Sequence, residues 1–150
     1  MEMSDLFNLL REQHQFLESF LDTIVLQQRA IIESDVKGLE ETIKTEGALL
    51  INFEYYEKHM SSMIRELSEK YSLDASSGKL SDFVNTLKGK REFNPKSLVR
   101  IQSSMQKLML QIIKINNQNK MLVDQARNFI KETVSAFINN NQKPILDRKI

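Results

Sequence analysis

The chain has 150 residues, of which 41% are hydrophobic and 27% are charged, a composition that suits one folded domain. Lys and Arg number 21 against 20 Asp and Glu, so the net charge of +1 gives no support for nucleic acid or an anionic membrane as the main partner. The four glycines and two prolines are too few for a turn-rich β protein, and the lack of cysteine excludes disulfides and thiolate metal sites. No apolar run approaches the roughly 20 residues that cross a bilayer. The acidic start of the chain also lacks the basic residues of a secretory signal, so we expect a cytoplasmic helical protein.

The first predicted helix begins after Ser4 and continues to about Glu33. Its apolar residues recur at spacings of three and four, which is typical of an amphipathic helix. Ser34 or Asp35 can then cap a second helix, and Gly38 weakens a straight continuation. We therefore predict a tight reversal at this point, with one bent continuous helix as the alternative.

A second amphipathic helix is predicted to begin near Val36 and to end before Ser72. Gly47 lies inside this helix, where glycine costs up to about 1 kcal/mol relative to alanine, and we interpret it as the site of a close helix crossing. A Ser-Ser-Gly loop follows. Apolar residues at helical spacing then predict a short helix at residues 80–87.

The last helix is the clearest element and is predicted from Pro95 to about Asn139. Proline fits the first helical turn because it lacks the N–H that would have no partner there. At 1.5 Å per residue the helix would span roughly 65 Å, which is too long for a compact fold of this size. A heptad stripe runs along it without a slip and favours left-handed coiled packing. The stripe consists of Leu98, Ile101, Met105, Leu108, Ile112, Ile115, Asn119, Leu122, Ala126, Phe129, Thr133 and Ala136.

The sequence therefore predicts an all-α fold. We expect an antiparallel bundle of three long, coiled-coil-like helices with a short extra helix before the last one. Residues 1–141 would form a single elongated domain. Residues 142–150 contain a proline and several charges and would form a flexible C-terminal tail.

Known catalytic and metal-binding patterns are missing from the sequence. A di-iron carboxylate bundle needs Glu-x-x-His on two helices, but Arg11 and Tyr56 stand three residues before His14 and His59. There is no Gly-x-Ser-x-Gly motif and no Gly-rich phosphate loop. The basic cluster at residues 88–91 lacks the stacking aromatics of a nucleic-acid site. We expect no enzyme activity, cofactor or metal, and a metal-binding or enzymatic bundle is kept as an alternative that a metal-content measurement would decide.

The last helix also carries apolar residues outside its heptad stripe. They either contact the other two helices of a bundle or form an uncovered surface that binds a partner helix, and the sequence leaves both interpretations open. Asn116 and Asn119 interrupt the apolar run, and asparagine at such a position fixes register or partner choice at the expense of stability. The apolar residues outside the stripe are Leu110, Ile113, Met121, Val123, Ile130, Val134, Phe137 and Ile138.

Residues 115–123, Ile-Asn-Asn-Gln-Asn-Lys-Met-Leu-Val, lie midway along this helix. They resemble the signature of FlgN-type flagellar export chaperones, a hydrophobic-Asn-x-x-Asn-x-x-Leu-hydrophobic stretch. The segment at residues 45–57, in which a polar run leads into Leu-Leu and an acidic-aromatic turn, is similar to the second helix of that family. The hairpin at residues 33–39 is similar as well, so the likeness covers roughly residues 6–137.

The resemblance implies a cytoplasmic chaperone of the flagellar type III export system. Such chaperones bind the C-terminal helical segments of hook–filament junction proteins, prevent their premature assembly and deliver them to the export gate. The resemblance places partner binding in the last helix. Asn116 and Asn119 would set the register, and the predicted apolar anchors are Leu122, Val123, Ala126, Phe129, Ile130 and Phe137.

Two points stay open at the level of the sequence. Members of this family often have a Tyr- and Gly-containing tail implicated in gate docking, and residues 137–150 contain neither residue type. The resemblance therefore does not extend to gate docking through the tail. The alternative function is a structural coiled coil that only oligomerises and has no client, and the oligomeric state, monomer or dimer, is undecided.

Overall fold

The structure is a computed structural model that describes residues 2–75 and 77–149, with side chains described as far as Asn139. All regular elements in these residues are helical, which confirms the all-α prediction of three long helices and one short helix. The four helices are α1 (Met3–Ile32), α2 (Val36–Lys70), α3 (Leu80–Lys88) and α4 (Lys96–Lys149).

The connection between α1 and α2 is the tight reversal that the sequence predicted. The Asp35 N–H donates to the Ala30 carbonyl at 2.9 Å and the Ser34 N–H donates to the Ile31 carbonyl at 3.3 Å, which closes the end of α1. Ser34 has a φ of 56°, the left-handed conformation that this type of helix end requires. The Asp35 carboxylate then accepts the Gly38 N–H at 3.0 Å and caps α2, so the alternative of one bent helix is wrong.

The outer ends of α1 and α4 differ from the prediction. Helix α1 was predicted to begin after Ser4, but Glu2 is its N-cap residue and donates its N–H to the Asp5 carboxylate at 2.7 Å, so Ser4 lies inside the first turn. At the other end α4 continues to Lys149, although its end was predicted near Asn139. Asparagine lowers helix propensity by less than about 1 kcal/mol and does not by itself stop a helix. The flexibility predicted for the tail is not tested by these bounds and stays a prediction.

The two arms of the hairpin, α1 and α2, run antiparallel. Near the start of α1 the Gln13 side-chain amide donates to Glu57 at 2.7 Å. Near its end the Gln27 amide donates to Glu46 at 2.9 Å. As the α1 residue number rises the α2 number falls, which is the arrangement expected of two helices joined by a short turn.

In contrast, α4 runs parallel to α1. His14 Nε2 and Ser104 Oγ are 2.7 Å apart, and further along the Gln28 amide donates to Gln118 at 3.1 Å. Because α1 packs along both α2 and α4, it is the central helix of the bundle. The parallel pairing follows because α2 returns the chain to the level at which α1 begins, where Lys70 forms an ion pair with Glu2, and α4 starts again from this end.

The buried core is concentrated at one end of the bundle, which we call the base; the α1–α2 turn is the tip. In α2 every buried residue lies at or after Met60, in the half nearer the base. The short helix α3 contributes Phe83, Val84 and Leu87 and covers this end, and fully burying such a side chain is worth about 1.5–3 kcal/mol. The other buried apolar residues of the base core are Leu6, Leu9, Leu10, Leu17, Met60, Met63, Ile64, Leu67, Leu73, Ala75, Leu98 and Met105.

Two glycines of α2 have opposite surroundings. A Cβ atom added at Gly47 would meet no atom within 4 Å, so the predicted close helix crossing at this residue is wrong. A Cβ atom added at Gly38 would lie 2.3 Å from the Asp35 carboxylate that caps the helix. At Gly38 the Asp35 carboxylate would therefore have to shift to make room for a Cβ atom, whereas at Gly47 the space is open.

Alanine substitutions at these two glycines should shift stability in opposite directions. Gly47→Ala should raise the free energy of unfolding by up to about 1 kcal/mol, because alanine is the better helix former and the site has room. Gly38→Ala should lower it by about 1 kcal/mol, because the Asp35 cap must move. Urea unfolding followed by circular dichroism measures both changes. A destabilised Gly47→Ala variant would contradict the open surroundings of that residue.

Candidate partner-binding surface

The C-terminal part of α4 passes beyond the tip of the hairpin. Asn119 of α4 lies level with Ile24 and Gln27 of α1, and α1 ends at Ile32. At 1.5 Å per residue the parallel helices separate just after Val123 of α4. All side chains of residues 124–139 are exposed. We call this segment the overhang.

One side of the overhang is apolar. At 100° per residue, Phe129, Ile130 and Phe137 fall on the same side of the helix, and their exposed fractions are 70%, 61% and 66%. The hydroxyl of Thr133, on the same side, donates to the Phe129 carbonyl at 2.8 Å and so needs no outside partner. The charged residues on the other sides of the overhang are Asp124, Arg127, Lys131 and Glu132. The overhang therefore presents a continuous apolar face without covering residues from the hairpin.

The structure divides the predicted apolar anchors into two groups. Leu122 and Val123 are half-buried at the tip, whereas Ala126, Phe129, Ile130 and Phe137 are exposed. Most of the apolar residues outside the heptad stripe are exposed too, so contact with the other two helices does not explain them. The exposed ones are Leu110, Ile113, Met121, Ile130, Val134, Phe137 and Ile138.

The two predicted register asparagines lie in different places. Asn116 is exposed, but Asn119 is only 4% exposed and is bonded within the chain. The Asn119 amide donates to the Ile24 carbonyl at 3.0 Å and to the Gln27 side-chain oxygen at 3.2 Å. Asn119 therefore bonds α4 to α1 within the chain, and the role in partner binding that the resemblance implies for it stays a prediction. The partners of the Asn119 amide were not predictable, because Gln27 occupies an unremarkable position on α1.

A second apolar surface lies lower on the bundle, where α2 and α4 flank α1. It is a cleft of about 150 Å³, and sequence reasoning did not single it out. Its outer edge includes Leu50, Met109 and Ile113, which are 48%, 42% and 53% exposed. The remaining lining residues are Phe16, Leu17, Phe20, Phe53 and Ile112. With this apolar lining the cleft can hold an apolar side chain but offers no group for chemistry.

Among the residues that the structure describes, no three His, Asp or Glu side chains come together in a way that could hold a metal ion. None of the described helices combines the length and the apolar character that crossing a membrane requires. The expectation that purified protein binds no metal stays a prediction, and metal analysis after dialysis tests it.

The comparison with protein families shows to which family the chain belongs. The family model described as FlgN protein matches residues 1–145. The chain belongs to the FlgN family. This family comprises flagellar export chaperones and is not known for enzymes, which agrees with the resemblance at residues 115–123. Neither a curated protein nor a solved structure matches the chain significantly.

Proposed function

We propose that this FlgN-family protein binds the C-terminal helical segment of a hook–filament junction protein on the overhang of α4, in the cytoplasm, and delivers it to the flagellar export gate. The observation that carries the proposal is the apolar face of the overhang, with Phe129 and Phe137 about two-thirds exposed. An apolar face of this kind on a chaperone-family chain is a recognition surface for an amphipathic helix.

The overhang is suited to this task because it is a helix before the client arrives. Isolated helices of about 15 residues are marginally stable in water, but this one continues a helix that is already anchored on the bundle. The client therefore meets an ordered apolar face, which reduces the entropy lost on binding. Leu122 and Val123 are half-buried at the tip and anchor the beginning of that apolar face.

The energetics favour a reversible complex. Burying about 1,000 Å² of apolar surface is worth up to about 25 kcal/mol, and the entropy lost on association and on ordering the client offsets most of it. The client's own apolar face would be covered in the complex and unable to drive assembly. Release at the gate needs no hydrolysis by the chaperone, since the complex dissociates when a competing partner takes the client.

The direct test is a titration of the C-terminal segment of a junction protein against the full-length chain, followed by calorimetry. A photo-crosslinking amino acid at Ala126 should then capture the segment, whereas the same amino acid at Asn85 of α3, far from the overhang, should not. Equal capture at both positions, or at neither position despite calorimetric binding, would show that the client binds elsewhere.

A second candidate function is self-association without a client. The heptad stripe continues onto the overhang as Leu122, Ala126 and Phe129, and such a stripe also suits pairing with a second copy. Light scattering separates the two functions. A chaperone whose overhang is masked by a second copy becomes a one-to-one complex when the client segment is added, whereas a purely structural coiled coil stays associated.

A further inference from the structure

The groove between α1 and α4 at the base of the bundle is a different surface from the overhang and has a different chemistry. It has a volume of about 660 Å³ and is open to solvent along one side. Phe7 and Ile101 contribute apolar surface to it, and Ser97 and Ser104 contribute hydroxyls. The remaining lining residues are Arg11, His14, Gln15, Glu18 and Arg100.

Two arginines face each other across this groove. The His14–Ser104 contact fixes the register of the two parallel helices. One turn back from it, the chain reaches Arg11 on α1 and Arg100 on α4, so the two residues line the groove from opposite helices at about the same level. The Arg11 guanidinium lies 4.7 Å from the centre of the Phe7 ring, which holds it over the groove floor.

Acidic side chains do not neutralise this pair in the part of the chain that the structure describes. The carboxylate of Glu18, the one acidic residue of the lining, lies 3.6 Å from His14 Nδ1, farther along the groove. Neither Arg11 nor Arg100 forms an ion pair among the described residues. Two facing cations repel each other unless an anion lies between them.

The wall formed by α4 extends the positive charge beyond the arginine pair. Between Lys96 and Val123 the helix sequence contains basic residues and no aspartate or glutamate. Arg100, Lys107 and Lys114 are seven residues apart, so they follow one side of the helix. This basic line contrasts with the near-zero net charge of the whole chain.

We propose that the α1–α4 groove is a docking site for an acidic segment of a partner protein, with a carboxylate held between Arg11 and Arg100. Arginine binds carboxylates through charge-assisted hydrogen bonds. A carboxylate between Arg11 and Arg100 would therefore replace the repulsion between the two cations by an attractive contact to each of them. The apolar floor and serine hydroxyls suit a peptide. A nucleic acid would need a broader basic surface with stacking aromatic residues, which this narrow groove lacks. The site is separate from the client surface because about 40 Å of helix lies between Arg100 and Phe129.

The test uses the full-length chain and a fluorescein-labelled peptide of alternating glutamate and serine, which has no apolar side chains to bind the overhang. Fluorescence anisotropy at low salt should show saturable binding that weakens as salt is added. The double variant Arg11→Gln/Arg100→Gln should weaken binding by about tenfold or more, because both charge-assisted contacts are lost. Amide NMR should place the peptide-induced shifts at residues 7–18 and 97–107.

The matched control is Arg127→Gln/Lys131→Gln, which removes the same charge from the overhang and should leave peptide binding unchanged. Equal weakening in both double variants would show general charge attraction and overturn the site. No saturable binding, or competition by inorganic phosphate at the same concentration as the peptide, would also overturn it. Tighter binding of oligothymidylate than of the peptide would reassign the groove to nucleic acid. Thermal melting should show both double variants folded, since all four side chains are exposed.

Discussion

Replacing Phe129 with aspartate should weaken binding of a junction-protein C-terminal segment by about 100-fold, because a charge would be buried unpaired against an apolar client face. The free protein should remain folded. Phe129 is 70% exposed and contacts no hairpin residue that the substitution would disturb. Calorimetric titration measures the affinity and a thermal melt measures the fold.

The matched control for Phe129→Asp is Met105→Asp on the same heptad stripe of α4. Met105 is only 7% exposed and belongs to the base core, so a buried unpaired charge there should unfold the bundle. If Phe129→Asp melts as early as Met105→Asp, the overhang is covered in solution. If it melts normally and binds the client normally, the client surface lies elsewhere, and the cleft beside Ile113 becomes the first alternative.

Replacing Asn119 with aspartate should lower the free energy of unfolding by about 3 kcal/mol at neutral pH. The amide that now donates to the Ile24 carbonyl and the Gln27 oxygen would become a carboxylate facing two acceptors. Asn117→Asp is the matched control, because Asn117 is exposed two residues away and should tolerate the charge. Urea unfolding of both variants gives the comparison.

The loss in free energy of unfolding caused by Asn119→Asp should be small at acidic pH and grow as the pH rises. Burial raises the pKa of such an aspartate in the folded state above the value of about 4 that it has when unfolded. The variant should therefore approach wild-type stability below about pH 4 and lose stability as pH rises toward the folded-state pKa. A variant as stable as wild type at neutral pH would mean that Asn119 is not buried against α1.

The helices themselves were predictable because their causes are local. The α1–α2 reversal follows from Asp35 and Gly38, which form the cap and the space it needs. The ends were less predictable, since Glu2 rather than Ser4 is the N-cap residue of α1 and its N–H donates to Asp5. The close helix crossing predicted at Gly47 was wrong because a glycine that packing requires and a glycine that packing merely tolerates look alike in sequence.

The surfaces were predictable only where exposure follows from helix length. The excess length of α4 made an uncovered C-terminal surface one of two interpretations, and Phe129 and Phe137 are both exposed. The bond of Asn119 and the facing of Arg11 and Arg100 depend on the parallel register of α1 and α4. That register joins residues about 90 positions apart, with α2 and α3 between them, and no periodic signal in the sequence specifies it.

The uneven distribution of the core has a consequence for hydrogen exchange. No residue of α2 before Met60 is buried, and the tip half of that helix exposes Ile43 and Ile51. Backbone amides in that half can open through local fluctuations of low free energy, while those beside Ile64 and Leu67 exchange only when the whole bundle unfolds. The protein thus combines a rigid base with a more adaptable tip, and the overhang starts from the adaptable end.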